Sequence, residues 1–200
     1  MSQNPDDFTG RKNPFRAMLW LGLFLIPLLV LMIFQLHCQG RLWWCSCGHW
    51  WPWAGNVHSM HNSQHIADPY SLTHLLHGVV LCGALAGVAA RISWKWRFSL
   101  ALAAEMAWEI FENTGFVIQR YREATLALGY TGDTIVNSLG DVLCCGIGFL
   151  IARRLGFWRS VFFFFLVEVI LILWIHDSLL LNLLMLIVPV DAIKTWQINQ

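Results

Sequence analysis

The apolar residues of this chain are gathered into separate runs, and the length of those runs constrains the fold most. Each is close to the roughly 20 residues that cross a bilayer core as a helix, and they lie at 17–36, 72–90, 98–118, 134–152 and 160–176. A further apolar run, 178–190, is shorter; it is a candidate sixth span, or a re-entrant or interfacial segment. We therefore expect an all-α fold, a polytopic transmembrane helix bundle with five or six spanning helices.

Composition supports this class and excludes others. The chain is 57% hydrophobic and only 12% charged, whereas roughly a quarter of the residues of a soluble domain are charged. Its formal net charge is +1, so no basic surface for nucleic acid is expected. The expected partner is the lipid bilayer, with no nucleic acid.

The positions of lysine and arginine predict the orientation of the bundle. Short loops rich in these residues stay in the cytoplasm, and most of the basic residues fall in the tail and in alternate loops. This places a cytoplasmic tail at 1–16, one integral membrane domain at 17–200, and a long outer loop at 37–71.

The outer loop is rich in tryptophan and also contains Cys38, Cys45 and Cys47. Outside the cytoplasm thiols tend to oxidise, so we expect either a disulfide, most easily from Cys38 to Cys45 or Cys47, or plain thiols. The alternative is metal binding by the sequence Cys45-x-Cys47-x-His49, but this group alone supplies only half of a zinc site.

Histidines follow in the same loop. His58, His61, His65 and Asp68 would share one face if this part were helical, and imidazole with carboxylate suits a divalent metal. We expect His58 and His61 to be surface histidines, and we assign His65 to a metal site because of the acidic groups it would face.

Three carboxylates in the third run, Glu105, Glu109 and Glu112, recur at helical spacing and fall on one face. Because carboxylates facing lipid are very costly, this face must point into the bundle. The fourth run carries a complementary polar face that includes Asn137 and Asp141. Counted at about 1.5 Å per residue from the predicted outer ends, Glu112 and Asp141 lie at similar depth, with Glu105 much deeper.

These positions define the predicted site. The catalytic candidates are Glu109, Glu112 and Asp141. A divalent metal ion is the candidate cofactor, with ligands chosen from His65, His74, His77, Glu109 and Asp141. The candidate substrate-binding residues lie at the mouth of the cluster and are Arg120, Arg122, Asp133 and Asn137. The alternative is that the buried polar groups only join helices by hydrogen bonds.

Several short motifs carry a resemblance to a known family. They include Gly40-Arg41, Cys45-Ser46-Cys47-Gly48, Asn62-Ser63-Gln64-His65, Thr73-His74-Leu75-Leu76-His77-Gly78, Trp108-Glu109, Glu112-Asn113, Arg120-Tyr121-Arg122, Gly132-Asp133, Asn137-Ser138, Asp141 and Asp191-Ala192-Ile193. With them the chain resembles a family of uncharacterised multi-pass inner-membrane proteins of alphaproteobacteria. The resemblance implies a multi-pass protein of the bacterial inner membrane and supplies no substrate.

A more distant resemblance is to VanZ-like membrane proteins. It rests on His74 or His77, Glu109-x-x-Glu112, Arg120 or Arg122, and Asp133-x-x-x-Asn137-x-x-Gly140. It implies the same choice of polar residues and no established reaction.

Three functions fit these features. The first is a metal-dependent membrane enzyme acting at the periplasmic side on a lipid-linked or envelope substrate. The second is a small proton-coupled transporter with a relay through Glu105, Glu109 and Glu168. The third is a non-catalytic envelope assembly or interaction factor that docks through the tryptophan-rich loop.

Overall fold

The computed structural model describes residues 14–124 and 129–198, and these residues form eight helices and no β-strand. All but the last three residues of the predicted tail 1–16 lie outside the described residues; those three belong to the first helix. The helices are α1 (Pro14–Cys38), α2 (Ser71–Val88), α3 (Trp94–Glu112), α4 (Gly115–Ala124), α5 (Ile135–Leu155), α6 (Phe157–Ile175), α7 (Leu179–Ile187) and α8 (Asp191–Ile198).

Four of these helices are long and apolar enough to cross a membrane, namely α1 (from Leu19), α2, α5 and α6. On α1 and α6, large apolar side chains such as Ile26, Phe162 and Leu173 are exposed, as expected of surfaces that face lipid. The prediction of an all-helical bundle is confirmed, whereas the predicted number of five or six spans is not.

The third and sixth predicted spans differ from the helices that form. Helix α3 is as long as α6 but carries charged residues along its length, so it is not among the four apolar helices. The predicted short span 178–190 contains only the nine-residue helix α7. At about 1.5 Å per residue α7 is about 14 Å long, roughly half of the bilayer core, and is too short to cross alone.

The predicted span 98–118 is also broken in the middle. Asn113 ends α3, and its side-chain amide donates to the Glu109 carbonyl and to the Asp133 carboxylate. The hydroxyl of Thr114 donates to the Phe111 carbonyl. These side-chain bonds satisfy groups that a continuing helix would use, so the chain turns and restarts as α4.

Helix α5 packs against α1, α2, α3 and α6, and its most extensive contact is with α2. Glycines bring these two backbones together. A Cβ on Gly78 would meet the backbone of Cys145 and lie 2.7 Å from the Phe149 nitrogen, and one on Gly148 would meet the Leu75 carbonyl. Small residues at such crossings permit close approach of membrane helices.

Residues 39–70 contain turns and one isolated bridge, between Trp53 and Ala67. This loop is bound to the bundle through its backbone: the Thr134 nitrogen donates to the Ser63 carbonyl, and the Ile135 nitrogen to the Leu42 carbonyl. It therefore covers the start of α5. We call this end of the bundle the loop end.

Helix α7 is held at its start by a carboxylate from α6. The backbone nitrogens of Leu179 and Leu180 donate to the two Glu168 carboxylate oxygens, at 3.0 and 3.3 Å. A carboxylate is favourable at a helix N-terminus because the first backbone N–H groups have no partner within the helix. The carboxylate of Glu168 thus caps the N-terminus of α7.

Candidate functional site

Near the loop end, two histidines of α2 share one carboxylate of α3. The Nδ1 atom of His74 lies 2.6 Å from Glu105 Oε1. The Nδ1 atom of His77 lies 3.0 Å from Glu105 Oε2. Both histidines lie on one face of α2, one turn apart. Glu105 is 1% exposed, so its carboxylate is buried inside the bundle.

Two more carboxylates approach the other sides of His74. Glu109 Oε1 lies 3.3 Å from His74 Nδ1, and Asp141 Oδ2, on α5, lies 4.0 Å from His74 Nε2. Glu109 is fully buried, and among the described residues neither of its carboxylate oxygens has a hydrogen-bond partner. A buried carboxylate without hydrogen bonds is costly, so Glu109 requires a proton or a cation.

Two overlapping groups in this cluster could hold a metal ion. One is His74, His77 and Glu105, and the other is His74, Glu109 and Asp141; in each, one ligand atom per residue lies within 4.8 Å of the others. We call these five residues the His/carboxylate cluster. Imidazole and carboxylate are the donor set of many Zn²⁺ and Mn²⁺ sites.

Glu105 belongs to this cluster although its sequence position predicts a much deeper location. The depth was counted from residue 118, but α3 ends at Glu112. Counted from Glu112 at about 1.5 Å per residue, Glu105 lies about 10 Å deep, close to the depth of His77 and Asp141 counted from the starts of α2 and α5. Sequence reasoning missed the break at Asn113 that decides this depth.

A cavity of about 50 Å³ lies beside the cluster. This volume is enough for a few water molecules. The polar side chains that line it come from the loop, from α2 to α5 and from α7, and include Asn62, Ser63, His74, His77, Glu112, Tyr121, Tyr130, Asp133, Asp141 and Asn182.

Glu112, predicted as catalytic, lies on this cavity and outside both candidate metal groups. Its carboxylate interacts with the Tyr121 hydroxyl, and its buried Oε2 atom has no hydrogen-bond partner in the described part of the chain. It is therefore placed to exchange a proton with a molecule in the cavity.

Asp68 and Asp133 lie at the loop end, outside the helices. Asp68 accepts the backbone N–H groups of Ser63 and Tyr70, and burial raises the pKa of its carboxyl from 3.8 to about 6. Burial also raises the pKa of Asp133, which accepts bonds from Asn113 and Tyr130. These carboxylates anchor the loop and the start of α5.

The four predicted substrate-binding residues are not brought together. Arg120 donates to the Leu186 and Ile187 carbonyls at the end of α7, and Arg122 donates to the Tyr130 carbonyl. Of the four, only Asp133 lines the cavity. Asn137 is buried behind it and donates to Asp68 at 3.5 Å. Both arginines stabilise the ends of helices and turns, because free carbonyls there accept from cations.

The structure places His65 in a different group from the one predicted. It is 1% exposed, and its Nε2 atom faces Cys47 Sγ and His61 Nδ1. The loop is not helical at His65, so the expected face shared with the other histidines does not form. His61, expected at the surface, is half-buried in this group, whereas His58 is exposed as expected.

Of the two states expected for the loop cysteines, a disulfide or plain thiols, the structure has plain thiols, since all six cysteines are free. Cys38 is the last residue of α1 and is exposed, while Cys45 is buried and its sulfur lies 3.5 Å from His61 Nδ1. The thiols are therefore directed to different surroundings.

These features define a class: an α-helical protein of membrane type, in which buried histidines and carboxylates from three helices meet beside a small cavity.

The chain belongs to the family described as "Protein of unknown function (DUF2585)", whose model matches residues 36–199. It is 43% identical over 182 residues to a UPF0314 protein of Rhizobium meliloti (strain 1021), covering 91% of this chain and 92% of the relative. It is 40% identical over 190 residues to a UPF0314 protein of Paracoccus denitrificans (strain Pd 1222), covering 95% of each chain.

The family membership confirms the resemblance to uncharacterised proteins of alphaproteobacteria. The more distant VanZ-like resemblance is not supported by these matches and stays a prediction. No solved structure matches the chain.

Proposed function

We propose that this protein is a metal-dependent enzyme of the bacterial inner membrane that acts at the periplasmic side on a lipid-linked or envelope substrate. Its site is the His/carboxylate cluster with the adjoining cavity. The N-terminus lies in the cytoplasm, and the loop end faces the periplasm, as the distribution of lysine and arginine favours.

One observation carries this proposal. Two imidazoles and three carboxylates, drawn from α2, α3 and α5, form two overlapping groups of possible metal ligands although each is expensive to bury in an apolar bundle. Interhelical hydrogen bonding would explain His74 and Glu105. It leaves both Glu109 carboxylate oxygens without a hydrogen-bond partner within the described residues, since the His74 Nδ1 atom 3.3 Å away is already hydrogen-bonded to Glu105. A bound cation would supply that partner.

The residues take distinct roles in this proposal. A divalent metal would be held by His74 together with His77 and Glu105, or together with Glu109 and Asp141. When bound, it would polarise an oxygen of the substrate and lower the pKa of a water. Glu112 acts as the general base or acid because it lies on the cavity, outside the candidate metal groups. Asn62 and Asp133 orient the substrate at the cavity wall.

The small volume of the cavity, and the ionisable side chains of His74, Glu112 and Asp133 among its mixed polar and apolar lining, favour a headgroup over an acyl chain as the part of the substrate that enters. Beside the loop that covers it, the exposed rings of Trp43, Trp50 and Trp51 suit the interface between lipid and water, where tryptophan is enriched. A lipid-linked substrate could therefore keep its chain in the bilayer while its headgroup reaches the cavity.

The transporter alternative receives less support. Its relay needs Glu168 to be available for protons, but both Glu168 carboxylate oxygens accept backbone N–H groups at the start of α7. Beyond the cluster, a second cavity between α2, α5 and α6 is lined mainly by apolar side chains, together with Arg97 and Arg153. This arrangement does not extend the polar path.

The test is a conversion assay. Purified protein in proteoliposomes of total bacterial envelope lipid is given Zn²⁺ or Mn²⁺, and released headgroups and altered lipids are measured by mass spectrometry. We expect a product that requires metal and that decreases at least a hundredfold in Glu109→Gln and in Glu112→Gln, because each loses a group that touches metal or reacting atoms.

Glu123→Gln is the matched control, because Glu123 is an exposed carboxylate of α4 that accepts from Gln119. It should convert lipid at the wild-type rate. Metal-replete, folded wild type that converts no envelope lipid, or Glu109→Gln protein as active as wild type, would contradict the proposal.

A further inference from the structure

We propose a second metal site, a structural zinc site formed by Cys45, Cys47, His61 and His65 in the loop 39–70. It is separate from the His/carboxylate cluster and shares no residue with it. Its occupant is a thiophilic divalent cation, for which Zn²⁺ is the expected ion.

Of three distances between ligand atoms, two are those of a tetrahedral ion, and the third is longer. Bonds of about 2.0 Å to nitrogen and about 2.3 Å to sulfur separate two nitrogens by about 3.3 Å and a nitrogen from a sulfur by about 3.5 Å. Here His61 Nδ1 and His65 Nε2 are 3.4 Å apart, and Cys45 Sγ is 3.5 Å from His61 Nδ1. Cys47 Sγ is 4.0 Å from His65 Nε2.

The donor set also matches zinc. Two cysteines and two histidines form a common structural zinc set, and the spacing His61-x-x-x-His65 is typical of its histidine half. The two cysteines, Cys45-x-Cys47, do not form a zinc site by themselves. Only the fold brings them next to the two histidines.

The backbone around the cysteines supports thiolates. The Cys47 nitrogen donates to Cys45 Sγ, and the His49 nitrogen donates to Cys47 Sγ, both at 3.4 Å. Hydrogen bonds to the ligand atoms are the usual second layer of a metal site. Gly48 follows in the left-handed region, with φ at 73°, which turns the chain sharply behind Cys47.

The loop has a physical need for such a cross-link. Residues 39–70 have no helix or strand of their own among the described residues, yet Cys45 and His65 are 5% and 1% exposed. A loop of this length without secondary structure has little to offset its conformational entropy. Zinc bound to four side chains supplies that stabilisation, because binding free energy becomes folding free energy.

The site also holds the rim of the cavity. His61 and His65 flank a segment of three residues. In it, Asn62 and Ser63 line the cavity, and Gln64 donates to the Gly132 carbonyl. Zinc at His61 and His65 would fix this segment against the start of α5. The metal is therefore structural, and its loss should open the rim.

The test uses the full-length protein in detergent. Wild type loaded with Co²⁺ should show the visible bands of a tetrahedral ion and thiolate-to-cobalt charge transfer, which only a cysteine-bound ion produces. Cys47→Ser and His65→Ala should lose the charge-transfer band or shift it strongly. Cys38→Ser and His58→Ala, matched changes at exposed residues of α1 and the same loop, should keep it.

A second measurement covers variants that fail to fold. Zinc-loaded wild type is treated with an alkylating reagent, with and without a chelator, and the modified cysteines are identified by mass spectrometry. Cys45 and Cys47 should be protected until the chelator is added, while Cys38 reacts throughout. Absence of charge transfer in wild type, a Cys45–Cys47 disulfide, or equal alkylation with and without the chelator would overturn the site.

This outcome is independent of the proposed enzyme. Glu109→Gln protein should retain the charge-transfer spectrum, since Glu109 is not a ligand of this site. Glu109→Gln protein that loses catalysis but keeps the charge-transfer spectrum would separate the two metal sites. So would Cys47→Ser protein that loses the spectrum but keeps catalysis.

Discussion

Glu105 is the residue that joins both histidines of α2, through its contacts with His74 and His77 at 2.6 and 3.0 Å. Its helical face could be predicted from the spacing of the three carboxylates of α3. Its partners could not, because they depend on where α3 ends, and Asn113 ends it through a side-chain bond to Asp133. That bond joins residues distant in sequence; the local bonds of Asn113 to Glu109 and of Thr114 to Phe111 are the signal that sequence reasoning did not use.

Replacing Glu105 tests its role in orienting the two imidazoles. Glu105→Gln keeps the size of the side chain but removes the charge that fixes both Nδ1 atoms. We expect the affinity of the cluster for Zn²⁺ or Mn²⁺ to fall by about 10–100-fold, as for other groups that orient or complete a metal site. Isothermal titration of Cys47→Ser and Cys47→Ser/Glu105→Gln protein measures this, and unchanged affinity would exclude the role.

Asp177 gives a prediction for the pH dependence of stability. Burial raises the pKa of its carboxyl from 3.8 to about 6, against bonds donated by Ser178, Asn182 and Tyr70. The folded protein thus holds this proton more tightly than the unfolded chain. Protonated Asp177 therefore contributes to the free energy of unfolding below about pH 4, and this contribution is lost as pH rises through about 6. It amounts to about 3 kcal/mol at most.

Thermal unfolding in detergent between pH 4 and pH 7 measures this contribution. Wild type should become less stable as pH rises in this window, and Asp177→Asn should show a shallower decline. Some decline should remain, because the pKa of Asp68 is raised in the same direction. Equal slopes for wild type and Asp177→Asn would contradict the assignment.

At the scale of helices, the polar faces of α3 and α5 could be predicted, and the ends of the helices could not. Glu105, Glu109 and Asp141 are buried, as their spacing predicts. The ends depend on side chains distant in sequence: Arg120 bonds the end of α7, and Glu168 its start. The short apolar run 178–190 contains only the nine-residue helix α7.

The contact between α2 and α5 sets the separation of His74 from Asp141, and Gly78 lies within it. In Gly78→Ala the new Cβ would meet the Cys145 carbonyl, which is backbone and cannot move aside cheaply. We expect a loss of stability of about 1–3 kcal/mol, together with weaker metal binding at the cluster. Thermal unfolding and metal titration of the same preparation measure both effects.

Gly83→Ala is the matched control for this change. It lies on the same helix, and a Cβ there would have nothing within 4 Å. It should leave both quantities near wild type, or raise stability slightly because alanine favours helix. Equal losses in Gly78→Ala and Gly83→Ala would show that the close contact between α2 and α5 does not limit stability.

At the scale of the whole molecule, the predicted orientation can be tested with the native Cys38. This thiol is free and exposed at the end of α1 nearest the loop. If the loop end faces the periplasm, a membrane-impermeant maleimide should label Cys38 in intact spheroplasts. Cys38→Ser should lose that modification, and labelling of Cys38 only after the membrane is permeabilised would reverse the orientation.

The two proposed metal sites show what sequence reasoning reaches over the whole chain. Buried carboxylates such as Glu109 and Asp141 can be recognised from sequence, because a charged residue within an apolar run is rare. The zinc site in the loop cannot, because Cys45 and Cys47 meet His61 and His65 only through turns that carry no periodicity. The missing half of that site lay in histidines expected at the surface or in another cluster.

The central claim is that the His/carboxylate cluster binds a metal ion, and metal content measures it most directly. Protein is purified as Cys47→Ser, which removes the loop site, is saturated with Zn²⁺ or Mn²⁺, and is washed free of unbound ion. The account predicts bound metal in folded Cys47→Ser protein and its loss in Cys47→Ser/Glu109→Gln. Folded Cys47→Ser protein that retains no metal, or equal metal in the two variants, would contradict it.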